Sequence, residues 1–164
     1  ELVRTQAFKE CVDERGFIED LNKSIVYTEQ REFEYNNNPE PAKETRLTQT
    51  SQYQRSKKVS SNALLKARFL CEVNTEHPVF VRKNSNENYT EPHHLVPLFA
   101  QKDFPDVNLD REQNIVSLCS HCHNLLHYGA DIDGVLYKLY MDRKDLLQLI
   151  GIEISYEDLR KYYL

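Results

Sequence analysis

The chain has 164 residues, 29% charged and 40% hydrophobic, with a formal net charge of −5. That balance excludes a disordered polyelectrolyte, and no apolar run approaches the ~18 residues of a membrane span. The length suits one domain, or one small domain with an appendage. Charge is unevenly spread: residues 45–70 carry six bases and no acid, whereas residues 1–44 carry six bases and eleven acids. A segregated basic stretch can bind phosphates despite an acidic total. Its candidate nucleic-acid contacts are Arg55, Lys57, Lys58, Lys66 and Arg68.

Residues 1–35 read as one or two helices from the rough helical spacing of Phe8, Cys11, Val12, Phe17, Ile18, Leu21 and Ile25, broken at Gly16. Cys11 sits in that apolar set and reads as a packing residue. Asn36 to Pro41 is turn chemistry. Thr45 to Ser60 is a polar, basic linker that orders on DNA or packs as an arm. The expected division is 1–58, a helical segment with a basic arm, and 59–164, the main domain. The chain starts with Glu1 rather than Met, so an upstream domain of the same protein is expected before it.

Ser60 or Ser61 is the expected cap of a helix that runs to Leu70 and delivers Cys71. Pro78–Arg82 and Tyr89–Val96 read as strands, the second at an edge or bulged because Pro92 cannot donate to a ladder. Gln101 to Gln113 is a loop, and Ile115–Leu118 is the return strand. Ser120–Tyr128 reads as a short helix closed by Gly129. In the tail, Leu136, Leu139, Tyr140, Arg143, Leu147 and Ile150 lie on one helical stripe that Gly151 stops. Ser155 with Asp158 resembles a capping box for a last helix, Tyr156–Tyr163. The fold class is α+β.

Chemistry concentrates between Cys71 and Gly129, which hold all six histidines and three of the four cysteines. Cys119-x-x-Cys122 is half of a tetrahedral zinc site, a spacing that favours metal over a disulfide and implies a reducing, cytoplasmic setting. Cys71 follows a helix as the first half of such a knuckle would. Its i+3 partner is Asn74, a poor zinc ligand, and His77 is the nearest alternative. The expected structural zinc set is therefore Cys71, His77, Cys119 and Cys122.

A second constellation is separate. His93 and His94 are adjacent on a strand and point to opposite faces. His123 and His127 are four apart and share a helical face. His93, His123 and His127 would supply nitrogen ligands to a divalent metal and leave positions open for phosphate and water. His94, with an ordinary pKa near ~6.5, suits proton abstraction from water. Asn114 can hydrogen-bond across the loop to fix His94, and Glu91 is a carboxylate that can hold a ligand imidazole.

With those residues in view, the span from about Ala63 to Tyr163 resembles an HNH endonuclease of the McrA-like restriction branch. The resemblance rests on Cys71, Tyr89, Glu91, His93-His94-Leu-Val-Pro-Leu98, Asn114 to His123, His127-Tyr-Gly129 and the tail Gly151–Ser155 with Leu159–Tyr163. It implies a ββα-metal fold with a zinc knuckle, and divalent-metal hydrolysis of DNA phosphodiesters. It implies metal ligands at His93 and His123, a general base at His94, an orienting Asn114, and a ligand or phosphate contact at His127. Imidazole ligands suit Mn²⁺ or Ni²⁺ at least as well as Mg²⁺. Double-stranded DNA is the expected substrate, in restriction or defence, and cutting both strands with one such centre would call for a homodimer. Competing readings are a zinc-stabilised DNA-binding module without catalysis, a structural interaction domain, and a nuclease acting on RNA or structured nucleic acid. The intact His93, His94, Asn114 and His123 set argues against the first of these.

Overall fold

The computed structural model describes residues 16–18, 20–21, 33–43 and 55–164. Most of the expected N-terminal helical region, with Cys11, and the linker from 44 to 54 lie outside the described residues. The fold is α+β, a two-stranded antiparallel sheet among helices. Among the described residues, no helix is long and apolar enough to cross a membrane.

Helix α1 spans Lys57–Lys66, and its cap is Ser56, whose hydroxyl accepts from the Val59 amide at 3.3 Å. The expected caps are displaced: Ser60 is buried inside the helix. All three serines can cap, but only Ser56 also gives its amide to the Asp110 carboxylate, at 2.7 Å. At the other end Arg68 and Phe69 take positive φ, 55° and 52°. Their amides close on Leu65 and Leu64 carbonyls, each at 2.9 Å. A left-handed residue that is not glycine costs about 1–2 kcal/mol. Burying Phe69 against Leu64 and Leu21 offsets this by about 1.5–3 kcal/mol. The sharp turn then delivers Cys71 to the sheet.

Strand β1 (Glu91–His94) pairs with β2 (Ile115–Leu118), Glu91 opposite Leu118 and His94 opposite Ile115. In a two-stranded sheet both strands are edges, which is why Pro92 is tolerated inside β1. The expected strand over 78–82 does not form. Only an isolated bridge joins Val81 to Asn88, and Phe80 and Val81 stay exposed. Single 3-10 turns at Leu98–Asp103 and Glu112–Asn114 shape the loop between the strands.

Helix α2 (Ser120–Tyr128) follows β2 directly and packs on both strands. Gly129 ends it at φ −71°, an ordinary value. The glycine is needed for space, because a Cβ there would lie 2.5 Å from the Leu125 carbonyl oxygen. Helix α3 (Asp133–Leu149) buries Leu136, Leu139, Arg143 and Leu147. Gly151, at φ +85°, stops it as the Ile152 amide returns to the Leu147 carbonyl at 2.9 Å. Helix α4 (Tyr156–Lys161) is shorter than expected, and the Ser155 hydroxyl accepts from the Asp158 amide at 3.1 Å.

Arg143 is 5% exposed in an otherwise apolar stripe. Its guanidinium pairs with Glu72 and donates to the Glu112 and Gln113 carbonyls at 3.4 and 3.3 Å. Residues 36–40 pack as an arm. Arg111 donates to the Asn36 and Asn38 carbonyls, Gln113 donates to Asn36 and Asn37, and the Asn108 amide donates to the Glu40 carbonyl.

Candidate metal centres

Two clusters of ligating side chains flank the sheet. The first is Cys71, His77, Cys119 and Cys122, with one ligand atom of each within 4.8 Å of the others. The turn after α1 brings Cys71, and the β2–α2 junction brings the cysteine pair. Asn74, where a fourth cysteine would be expected, builds a turn instead. Its side chain accepts from the Glu76 amide and its carbonyl from the His77 amide, at 3.0 and 3.1 Å. That turn places His77 Nδ1 3.3 Å from Cys122 Sγ and 3.7 Å from Cys119 Sγ. Tetrahedral zinc–ligand lengths imply ligand–ligand spacings of roughly 3.5–3.8 Å. Burial pushes the Cys71 thiol up, but amides of Cys119, Asn74 and Val73 outweigh it and hold it below the ordinary value. Burial, and then the Cys71 charge, push Cys122 well up. A cation at the centre would offset the charge of adjacent thiolates. The group could hold a structural metal such as zinc.

The second cluster is His93, His123 and His127, also within 4.8 Å. β1 presents His93, and one face of α2 presents the other two. Glu91 fixes His123: its carboxylate takes the Nδ1 hydrogen, and its second oxygen accepts from Ser120 Oγ at 2.9 Å. Burial pushes the Glu91 carboxyl up, but its bonds from His123 and Ser120 win and leave it below the usual range. His123 Nε2 is thereby left with its lone pair, 3.1 Å from His127 Nε2. Metal–imidazole lengths of ~2.0–2.1 Å give nitrogen–nitrogen spacings of roughly 3 Å, so the donors fit one divalent ion. The Tyr163 hydroxyl donates to the Leu95 carbonyl at 2.7 Å and so accepts from His93 Nε2 at 2.9 Å. That tautomer leaves Nδ1 as the lone-pair nitrogen of His93.

His94 points to the other side of β1. Its Nε2 lies 3.1 Å from Asp110 Oδ1, and both side chains are 3% exposed. Nδ1 is buried and has no hydrogen-bond partner among the described residues. Among the described residues, no side-chain hydrogen bond joins Asn114 to His94. The Asn114 side chain accepts from the Val96 amide and donates to the Val96 and Leu109 carbonyls, at 2.8, 2.8 and 2.9 Å. It therefore pins both ends of the 95–114 loop that carries Asp110. The basic candidates lie on and around α1. Arg55 sits over Phe17, Lys57 pairs with Asp20, Lys66 sits over Tyr35, and Lys58 and Arg68 are exposed.

Sequence reasoning missed Asp110, Tyr163 and Ser120. Asp110 and Tyr163 reach the site across 16 and 70 residues of chain; Asp110 carries no motif signal, and Tyr163 lies in the tail that carries the resemblance without a site role attached to it. Ser120 had a signal: directly after Cys119, it opens the helix that carries His123.

The chain is similar to a restriction enzyme. It is 29% identical over 90 residues to the type IV methyl-directed restriction enzyme EcoKMcrA of Escherichia coli strain K12. The match covers 55% of this chain and 30% of that protein, so the chain spans under a third of its relative. No family model matches.

Proposed function

We propose that the chain is a metal-dependent DNA endonuclease with a ββα-metal core of the HNH kind, serving restriction or defence. The observation that carries this is the division of labour across β1. His93 turns toward His123 and His127, while its neighbour His94 turns to Asp110. A zinc clip alone needs neither arrangement. The similarity to a methyl-directed restriction enzyme supports the same reading.

In this mechanism His93, His123 and His127 hold one divalent cation. When bound, it supplies positive charge against the scissile phosphate and the leaving 3′ oxygen. Asp110 accepts the Nε2 hydrogen of His94, so Nδ1 is free to take the proton of the attacking water. Asn114 keeps that geometry by fixing the loop. Glu91 and Ser120 lock His123 in the tautomer with an available Nε2. The basic side chains of α1 hold the strand by its phosphates without reading sequence. Following the resemblance, the products carry 5′ phosphate and 3′ hydroxyl ends.

The test is plasmid nicking by wild type and His94→Ala in EDTA, Mg²⁺, Mn²⁺ and Ni²⁺, with zinc content measured for both. Mn²⁺- or Ni²⁺-dependent nicking should fall by about 10²-fold or more in His94→Ala with zinc unchanged. A wild type that keeps zinc and binds DNA but cuts nothing, methylated plasmid included, would instead make this a DNA-binding module.

A further inference from the structure

We propose that Phe80 and the pocket beside it receive one unstacked nucleobase of the DNA strand that crosses the histidine centre. The inference rests on the nuclease reading and adds a substrate contact to it. Four side chains form a continuous stack from core to solvent. Phe69 is buried at its base, with the Arg82 guanidinium 6.0 Å above that ring and 5.1 Å from the ring of Tyr89. Tyr89 then stacks on Phe80, with ring centroids 4.9 Å apart and planes 10° from parallel. Arg82 is held in place by donating to the Thr90 and Asn88 carbonyls at 2.8 and 3.2 Å. The Tyr89 amide closes on the Phe80 carbonyl at 2.6 Å. The inner members are therefore fixed, and the outermost ring is 62% exposed.

A ring held rigid at the outer end of a stack presents a flat face to which a second flat group can add. Every nucleobase has such a face. Beside the ring is a pocket of about 320 Å³ walled by Pro78, Val79, Phe80, Tyr89, Ser120 and His121, with His77 and Cys119 of the Cys–His cluster closing its remaining side. One base fits in that volume. The location selects DNA as the occupant: Ser120, in the pocket wall, donates to Glu91, and Glu91 holds His123. Ser120 thus links the pocket wall to the histidine centre through two hydrogen bonds, within reach of a strand that lies across that centre. His121 takes part in neither metal cluster and offers a ring nitrogen to the edge of the base or the adjoining phosphate.

The chain has no tryptophan, so Phe80→Trp places its one tryptophan, excited selectively over the ten tyrosines, at the stacking position. The probe is single-stranded oligodeoxythymidylate without added divalent metal. Saturable quenching of Phe80→Trp is expected, with affinity near that of wild type. Phe80→Ala and Phe80→Leu should each bind about tenfold more weakly with zinc content unchanged, because leucine restores bulk but not a π face. In a set of oligonucleotides each carrying one abasic site, one position should weaken wild type and leave Phe80→Ala unaffected. Unquenched tryptophan on a bound strand overturns the proposal. So does wild-type affinity in Phe80→Leu, or a dimer that becomes monomer in Phe80→Ala while DNA affinity stays put. Nicking without quenching removes the pocket and keeps the nuclease; quenching without nicking in any metal does the reverse.

Discussion

Replacing Asn114 by alanine should destabilise the fold as much as a typical core truncation, although the side chain is small. Asn114 is fully buried and satisfies three backbone groups, the Val96 amide and the carbonyls of Val96 and Leu109. Alanine leaves the Val96 amide and carbonyl without that partner, while the Leu109 carbonyl keeps the Arg111 amide at 3.0 Å. Each orphaned group costs about 1–3 kcal/mol, and the lower part of that range for the two gives ~2–4 kcal/mol. With a urea slope of about 2 kcal/mol/M, the unfolding midpoint should drop by roughly 1–2 M. Asn114→Asp should be worse than alanine, because a carboxylate would face two carbonyl oxygens where the amide donated. The measurement is urea unfolding of the zinc-loaded variants. A midpoint shift under ~0.3 M for alanine, or an aspartate variant more stable than the alanine variant, would refute the loop-pinning account.

Two further outcomes follow from the same geometry. Cys122→Ser should lower zinc content and the thermal midpoint together and open the 71–90 segment to protease; equal zinc content in variant and wild type would reject the Cys–His clip. The Tyr162 hydroxyl donates to Asp103 at 2.9 Å, and burial together with that carboxylate pushes its pKa up to about 12. The folded state thus keeps this proton more tightly than the unfolded chain, whose tyrosines titrate near ~10. Its contribution to stability is complete below pH ~10 and is lost as pH climbs through about 12. Tyrosinate absorbance of wild type minus Tyr162→Phe should show one late titration, and a difference centred near pH ~10 would reject the contact.

The grouping of both clusters was legible because it follows from short-range geometry. Cys-x-x-Cys, an i+4 histidine pair and alternation along a strand are each set within a few residues. His77 was reachable by elimination once Asn74 failed as a ligand. Features settled by loop closure were not legible. Ser56, Ser60 and Ser61 are equal as caps in the sequence, and the choice falls to Asp110, 54 residues from Ser56. Asn114 was read as hydrogen-bonding across the loop; that its partners there are the backbone of Val96 and Leu109 was not legible. The 78–82 segment has strand composition but finds only a single bridge, so Phe80 and Val81 face solvent while Val79 packs on the core. Carbonyls at 36 and 38, which looked like linker, are taken up by Arg111 from the far side of the domain.

Arg143 has a consequence of its own. Its guanidinium grips Glu72, next to the Cys71 ligand, and the carbonyls of Glu112 and Gln113, next to Asn114. Glu72 in turn accepts from the Ser117 amide at 2.6 Å, midway along the strand that leads to the cysteine pair. The clip and the loop behind His94 therefore share one support. A metal held at the cysteines would thus steady, through Arg143 and Glu72, the loop that carries Asp110 to His94.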